Sequence, residues 1–225
     1  MSDEFFEVIK QGDKDEVERR LMLDPILIHA KEAGLSPIMV AAYHHQPEIA
    51  SFLADKTVAI NIFEAAVTGK INNIIRLLAR NPLLVSTYNE DGFQPLGLAC
   101  FFGHIDSAEY LVKAGAPINA HSHNEISAAP IHSAASGGHR KIIKMLLENN
   151  ADPNIREQGG HTPLHTAAQN GDEEMIRTLL YGGADLLLTN NDGKTALDLA
   201  MSAGHERATL LLGEGVTKRF PQKRE

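Results

Sequence analysis

Residues 162–168 read Thr162-Pro163-Leu164-His165-Thr166-Ala167-Ala168, and related stretches recur along the chain. Copies at residues 129–135 and 195–201 lie 33 residues before and after this stretch, and a fourth copy occupies residues 94–100. A glycine follows each copy, and an apolar-periodic stretch comes next. Self-similarity at a period of about 20–50 residues is typical of repeat architectures. Each copy therefore predicts one helix, a turn at the glycine and a second helix.

A polar turn follows the second helix, as at Asn191-Asp192-Gly193. Glycine tolerates the left-handed backbone conformation, and asparagine and aspartate side chains bond to their own backbone, so such residues end a helix and reverse the chain. The whole pattern resembles the ankyrin repeat, whose signature is T-P-L-H-x-A. The resemblance implies an all-α fold, an ankyrin-repeat solenoid of about seven helix-turn-helix repeats with short β-turn fingers. We expect a protein of the bacterial type, with no particular protein indicated.

The earlier half of the chain carries less regular copies. Residues 36–42 form one of them, and His45 stands where the turn glycine is expected. About nine residues are missing after Leu53, where a repeat of this kind has its finger. Residues 119–129, in contrast, hold two more residues than the other fingers. The pattern predicts that one finger is lost and another is enlarged.

The domain organisation follows from the repeats. We predict a single domain over residues 1–215 and a flexible basic tail over residues 216–225, which holds four of the chain's lysines and arginines. The tail has two interpretations, a solvated end that keeps the last repeat soluble and a short basic contact for an acidic partner. The repeats are predicted near residues 1–33, 34–57, 58–90, 91–125, 126–158, 159–191 and 192–215.

Composition narrows the functional classes. The chain has 225 residues, of which 43% are hydrophobic and 22% charged, as in ordinary globular proteins. Its net charge of −8 disfavours general binding to nucleic acid or to anionic lipid. Cys100 is the only cysteine, and the sequence shows neither a secretion signal nor an apolar stretch long enough to span a membrane. We expect a monomeric cytoplasmic protein without nucleic-acid or membrane partners.

Several conspicuous residues are assigned to the scaffold. His132 and His165 hold the fourth position of the signature, where the resemblance implies a ring that points inward and links turns by hydrogen bonds. Cys100 replaces an alanine of a small core pair and is predicted to be a buried hydrophobe rather than a nucleophile. The histidines that follow a turn glycine are also structural in this interpretation: His104, His139 and His205.

The resemblance places the binding surface on the concave side of the solenoid, which is formed by finger tips and by first-helix residues just before the turn glycine. Aromatic residues concentrate there in repeats two and four, and clustered exposed aromatics are typical of interface anchors. We predict a non-catalytic protein-binding adaptor or inhibitor without cofactor or metal. The candidate partner-binding residues are Tyr43, His44, Tyr88, Glu90, Asp91, Phe93, Phe101, Phe102, Gln169 and Asn170.

Three alternatives stay open. The aromatic residues would instead pack between repeats, with Phe102 folded onto its neighbour. His121 and His123 in the enlarged finger, close to Glu125, would suit a weak metal site or a metal-dependent hydrolytic activity, although two ligands do not close a metal site. A small apolar ligand would suit the patch at Phe101 and Phe102. On the predicted binding surface itself, the rim residues Glu90 and Asp91 would suit a partner with basic residues.

Overall fold

The computed structural model of the chain describes residues 2–217. Fourteen α-helices lie within this range, and the range contains no β-strand. None of these helices is both long enough and apolar enough to cross a lipid bilayer. The predicted flexible tail falls outside the described residues, apart from residues 216–217 at the end of the last helix.

The helices belong to two compact units, one ending at Leu84 and the other starting at Val85. The predicted single domain over residues 1–215 stays a prediction. The first unit contains α1 (Ser2–Gln11), α2 (Lys14–Leu23), α3 (Pro37–Tyr43), α4 (Pro47–Lys56), α5 (Ile62–Val67) and α6 (Ile71–Arg80). A 3-10 turn at Pro25–His29 follows α2, and another at Pro82–Ser86 lies at the boundary of the units.

Successive helices of the first unit form hairpins that stack on one another. The helix α3 packs against α1, α4 and α5, and α2 packs against α4. The core of the unit is made of large apolar side chains that are fully buried, among them Phe5, Ile9, Leu53 and Ile74. The hairpins bury their apolar faces only against their neighbours, as expected for a solenoid.

The predicted loss of one finger is visible between α4 and α5. Only residues 57–61 connect these helices. The hydroxyl and the N–H of Thr57 both donate to the carbonyl of Leu53, at 2.8 and 3.0 Å, and so end α4. Asn61 then starts α5, because its side chain accepts the N–H of Glu64 while the Glu64 carboxylate accepts the N–H of Asn61. The end of α4 and the start of α5 therefore leave no room for a finger between these helices.

The turn between α3 and α4 has a histidine at the glycine position. His45 adopts a φ of 56°, in the left-handed region where Gly12 and Gly69 lie in the neighbouring hairpins. A residue with a Cβ atom pays about 1–2 kcal/mol for this conformation. The next residue, Gln46, donates a hydrogen bond of 3.3 Å to the carbonyl of Lys10 and thereby links two hairpins.

The second unit continues with four more hairpins. Its inner helices α7, α9, α11 and α13 pack on one another in order, and each outer helix packs on its inner partner and on the next outer helix. Proline occupies the first position of three inner helices, where its fixed φ suits the helix and its missing N–H costs nothing. The helices are α7 (Pro95–Phe101), α8 (Ile105–Lys113), α9 (Pro130–Ser136), α10 (Arg140–Glu148), α11 (Pro163–Gln169), α12 (Glu173–Tyr181), α13 (Ala196–Ser202) and α14 (Glu206–Thr217).

The fourth-position histidines link the turns, as the resemblance implies. The N–H of Thr162 donates to Nδ1 of His165 at 3.1 Å, so the ring carries its proton on Nε2, which lies 3.1 Å from the carbonyl of Lys194. His132 makes the equivalent bonds to Ala129 and His161. Burial lowers the pKa of both rings, that of His132 to about 4, and keeps them neutral.

Candidate partner-binding cleft

The finger tips of the second unit are joined by their backbones. The N–H of His123 donates to the carbonyl of Gly92 at 2.8 Å, and the N–H of Gln158 donates to the carbonyl of Ile126 at 3.0 Å. In the last finger, the N–H of Asn191 donates to the carbonyl of Gly159 in the preceding finger at 3.0 Å. Every finger is therefore fixed to the one before it, and the tips form a continuous platform beside the inner helices.

A cleft of about 270 Å³ lies where these fingers meet the inner helices α7, α9 and α11. We call it the aromatic cleft. Its walls combine apolar side chains from the fingers with small polar side chains from the helices. The lining residues are Phe93, Phe101, Ile126, Ala128, His132, Ser133, Ser136, Glu157, His161 and Thr166.

Two of the predicted binding residues, Phe93 and Phe101, lie in this cleft. Phe101 is the last residue of α7 and is 37% exposed, whereas the preceding Cys100 is fully buried. Phe102 is half-buried and packs edge-on against Phe101, with ring centroids 5.2 Å apart and planes at 81°. The partly exposed ring of Phe101 therefore contacts Phe102 and also lines the cleft.

Tyr88 is placed differently from its neighbours. Its ring stacks on His123 of the next finger with centroids 3.6 Å apart, and its hydroxyl donates to the carbonyl of His121 at 3.3 Å. It does not line the aromatic cleft. Tyr88 fixes the enlarged finger, and a contact of Tyr88 with a partner stays a prediction.

The acidic residues occupy the finger tips. Glu90 is exposed and Asp91 is half-buried in the first tip, and Glu125 is exposed in the second. The third tip contributes Glu157, whose Oε1 accepts the N–H groups of Gly159 and His161 at 3.0 and 3.2 Å. Successive tips therefore carry carboxylates, and that of Glu157 lines the aromatic cleft.

The other predicted residues lie outside this cleft. Gln169 and Asn170 are exposed at the end of α11, and the carbonyl of Gln169 lies 2.9 Å from Nε2 of His205. Tyr43 and His44 belong to the first unit, where Tyr43 ends α3 half-buried and His44 follows it exposed. Their part in binding stays a prediction.

The structure gives the two finger histidines separate contacts. Nδ1 of His121 lies 2.6 Å from the carbonyl of Ser127, whereas His123 stacks on Tyr88. Within residues 2–217, no group of three or more His, Cys, Asp and Glu side chains is arranged to hold a metal ion. Burial raises the pKa of the Cys100 thiol far above its ordinary value, so this side chain is a poor nucleophile.

Sequence reasoning missed Ile126 and Glu157, although both carry a signal. Ile126 is a large exposed apolar residue within the polar enlarged finger. The Glu157 carboxylate accepts the N–H of the residue four positions later in the chain, as the side-chain oxygens of Asn89 and Asn190 do in their own fingers. An acid at an asparagine position is thus the feature that distinguishes the third finger.

Comparison with known families agrees with the architecture. One model described as ankyrin repeats (3 copies) matches residues 131–220, and another described as ankyrin repeats (many copies) matches residues 99–147. Together they span residues 99–220, more than half of the chain. The chain belongs to the ankyrin-repeat family. The hairpins and fingers of the second unit are therefore ankyrin repeats.

Similar proteins share these ankyrin repeats over short segments. Inversin from Canis lupus familiaris is 31% identical over 101 residues, and inversin from Danio rerio is 35% identical over 91 residues. These matches cover 45% and 40% of this chain but 9% of each inversin. The ankyrin repeat and KH domain-containing protein mask of Drosophila melanogaster is 31% identical over 99 residues, which are 42% of this chain and 2% of that protein. The expected bacterial type stays a prediction.

Proposed function

We propose that the second unit binds a protein segment in the aromatic cleft and acts as a non-catalytic adaptor or inhibitor. Ankyrin repeats are generally protein–protein interaction modules, which supports the class of function. The observation that carries the proposal is the half-exposed ring of Phe101 at the edge of a cleft between fixed fingers. A large aromatic side chain held in this way is typical of an interface anchor.

The size of the cleft favours one anchoring side chain of a protein over a small molecule. Its volume of about 270 Å³ lies just below the range of about 300–1,000 Å³ that is usual for drug-sized ligands. Phe93, Phe101 and Ile126 offer an apolar surface to such an anchor. A small apolar ligand remains the second candidate, because the same three side chains would receive it.

The charges favour a basic partner. Glu90, Asp91, Glu125 and Glu157 line the finger tips, and the whole chain carries a net charge of −8. Lysine or arginine residues on either side of the apolar anchor would face these carboxylates. The cleft lies within one unit of one chain, so this binding needs no oligomer. A cytoplasmic setting belongs to the proposal, since the single cysteine forms no intrachain disulfide.

A displayed library of random peptides tests this proposal. We expect the full chain to enrich peptides that carry one large apolar residue flanked by lysine or arginine, and Phe101→Ala to lose them. Tyr181→Ala is the matched control, because Tyr181 is an exposed aromatic residue of the same unit that does not line the cleft. Enriched peptides that bind Phe101→Ala as well as the unchanged chain would contradict the proposal.

A further inference from the structure

A second cavity lies in the first unit, and none of the residues predicted to bind a partner lines it. Its volume is about 390 Å³, and it lies between α2, the 3-10 turn at Pro25–His29 and α4. Leu21, Met22, Phe52 and Val58 form its apolar wall. We call this cavity the outer cleft.

Large apolar side chains project beside the outer cleft. Met22 is 79% exposed, Ile26 is 76% exposed and Val58 is 98% exposed. Scattered exposed apolar residues are ordinary on protein surfaces, but a contiguous patch usually marks an interaction site. The outer cleft and the exposed side chains of Met22, Ile26 and Val58 thus form one patch. This patch holds both a cavity and side chains that would fill such a cavity.

The titratable residues of the outer cleft are one acid, one base and His29. Glu18 and Lys56 both line the cavity, and within residues 2–217 neither forms an ion pair. Nearby charges are paired: Arg20 binds Glu16 at 2.8 Å, and Lys70 binds Asp55 at 2.7 Å. The ammonium group of Lys56 lies 5.6 Å from the centre of the Phe52 ring. Both unpaired charges are therefore available to a docked partner.

We infer that the outer cleft docks a second copy of this chain about a two-fold axis. In a two-fold interface, a contact from one residue to another occurs twice with the roles exchanged. Glu18 of each copy would face Lys56 of the other, and the projecting Met22 of each copy would enter the opposite cleft. A patch that contains an acid, a base, a cavity and a projecting side chain is complementary to itself.

This inference concerns the first unit and is independent of the aromatic cleft. It differs from the monomer expected from the sequence, and that expectation stays a prediction. The sequence pattern predicts the loss of the finger after Leu53, but it does not show that Val58 and Met22 project beside a cavity. In the dimer, these apolar side chains would be buried away from water.

Charge reversal in the full chain tests the dimer. Sedimentation equilibrium of the unchanged protein should show a reversible dimer whose fraction rises with concentration. Glu18→Lys and Lys56→Glu should each weaken the dimer at least about tenfold, because like charges then meet at both contacts. A mixture of the two variants should form a heterodimer, since both contacts then join opposite charges. Glu48→Lys, the same reversal at the other end of α4, should leave the dimer unchanged.

Val58→Asp gives a second readout that does not depend on the ion pairs. The side chain is almost fully exposed, so the variant should keep the circular dichroism spectrum and lose the dimer. A wild-type chain that stays monomeric at its highest soluble concentration would overturn the inference. So would a dimer that all three variants preserve, since it would use another surface. Native mass spectrometry that finds a small apolar molecule on the monomer would assign the outer cleft to a ligand instead.

Discussion

The Nε2 atom of His139 lies 2.9 Å from the main-chain oxygen of Phe101. His139 belongs to the turn of the next repeat, and its ring covers Gly103, where a Cβ atom would lie 2.5 Å from the imidazole. One histidine therefore holds the backbone of the residue whose side chain lines the aromatic cleft. His205 makes the same bond to Gln169 two repeats later, so the device is a repeated part of the scaffold.

Because the scaffold holds the Phe101 backbone, truncation of its side chain should affect binding more than folding. We expect Phe101→Ala to weaken peptide binding by about 2–4 kcal/mol, or roughly thirty- to a thousandfold, as for a central aromatic anchor. The melting temperature should change little, since the ring is partly exposed. Calorimetric titration and thermal unfolding measure the two effects. A collapse of stability would identify Phe101 as core and remove it from the site.

The finger-tip carboxylates should act mainly on the rate of association. Glu90 and Glu125 are exposed and do not line the aromatic cleft, so Glu90→Gln with Glu125→Gln should slow binding of a basic peptide several-fold and change dissociation little. The effect should fade in high salt, because exposed charges are screened over about 10 Å at 0.1 M. Stopped-flow kinetics at two salt concentrations measure it. Faster dissociation with unchanged association would contradict steering by charge.

The repeats were predictable because their signals are local. In the second unit the turn glycines, the helix-starting prolines and the fourth-position histidines recur every 33 or 35 residues, and the structure confirms the helix pairs that they predict. Each signal acts within a few residues of its own position. The all-α solenoid could therefore be read from the sequence without knowledge of packing.

The two clefts were less predictable because they depend on contacts between distant residues. The stack of Tyr88 on His123 joins two fingers and depends on how the enlarged finger is aligned with its neighbour. The outer cleft depends on the spacing of α2 and α4, which meet only through tertiary packing. Periodicity predicts which faces are apolar, but not where neighbouring elements leave a cavity.

The left-handed backbone at His45 offers a stabilising substitution. A Cβ atom costs about 1–2 kcal/mol in this conformation, and glycine loses about 0.5–1 kcal/mol more entropy on folding. His45→Gly should therefore raise the free energy of unfolding by about 0.5–1 kcal/mol in urea denaturation. His44 has an ordinary φ of −92°, so His44→Gly should lower stability. Equal changes in the free energy of unfolding at both positions would show that the left-handed conformation of His45 does not affect stability.

Loss of a buried histidine should destabilise the scaffold and spare the aromatic cleft. His165→Ala leaves the N–H of Thr162 without its acceptor and removes one of the two hydrogen bonds to the carbonyl of Lys194, which also accepts the N–H of Asn190. Such a loss costs about 1–3 kcal/mol. Urea denaturation should show this decrease, while the exposed His44→Ala should show almost none. An unchanged denaturation midpoint would contradict the scaffold role of His165.

The low pKa of His132 makes stability depend on pH. Burial lowers this pKa to about 4 in the folded chain, whereas an unfolded histidine has a pKa of about 6.5. Between these values the unfolded chain binds more protons than the folded chain, so the free energy of unfolding falls as pH decreases from 6.5 to 4. The neutral ring contributes its full stabilisation above pH 6.5. At about 1.4 kcal/mol per pKa unit, the free energy of unfolding that is lost between pH 6.5 and pH 4 is on the order of 3 kcal/mol.

Urea denaturation at pH 7, 6 and 5 measures this slope. His132→Gln should flatten it, because the amide takes no proton in this range, even if the variant is less stable at every pH. The buried His165, whose pKa is also lowered, should contribute a remaining slope of the same sign in His132→Gln. A slope that His132→Gln leaves intact would mean that other groups carry the acid sensitivity and that the His132 ring is accessible to protons in the folded chain.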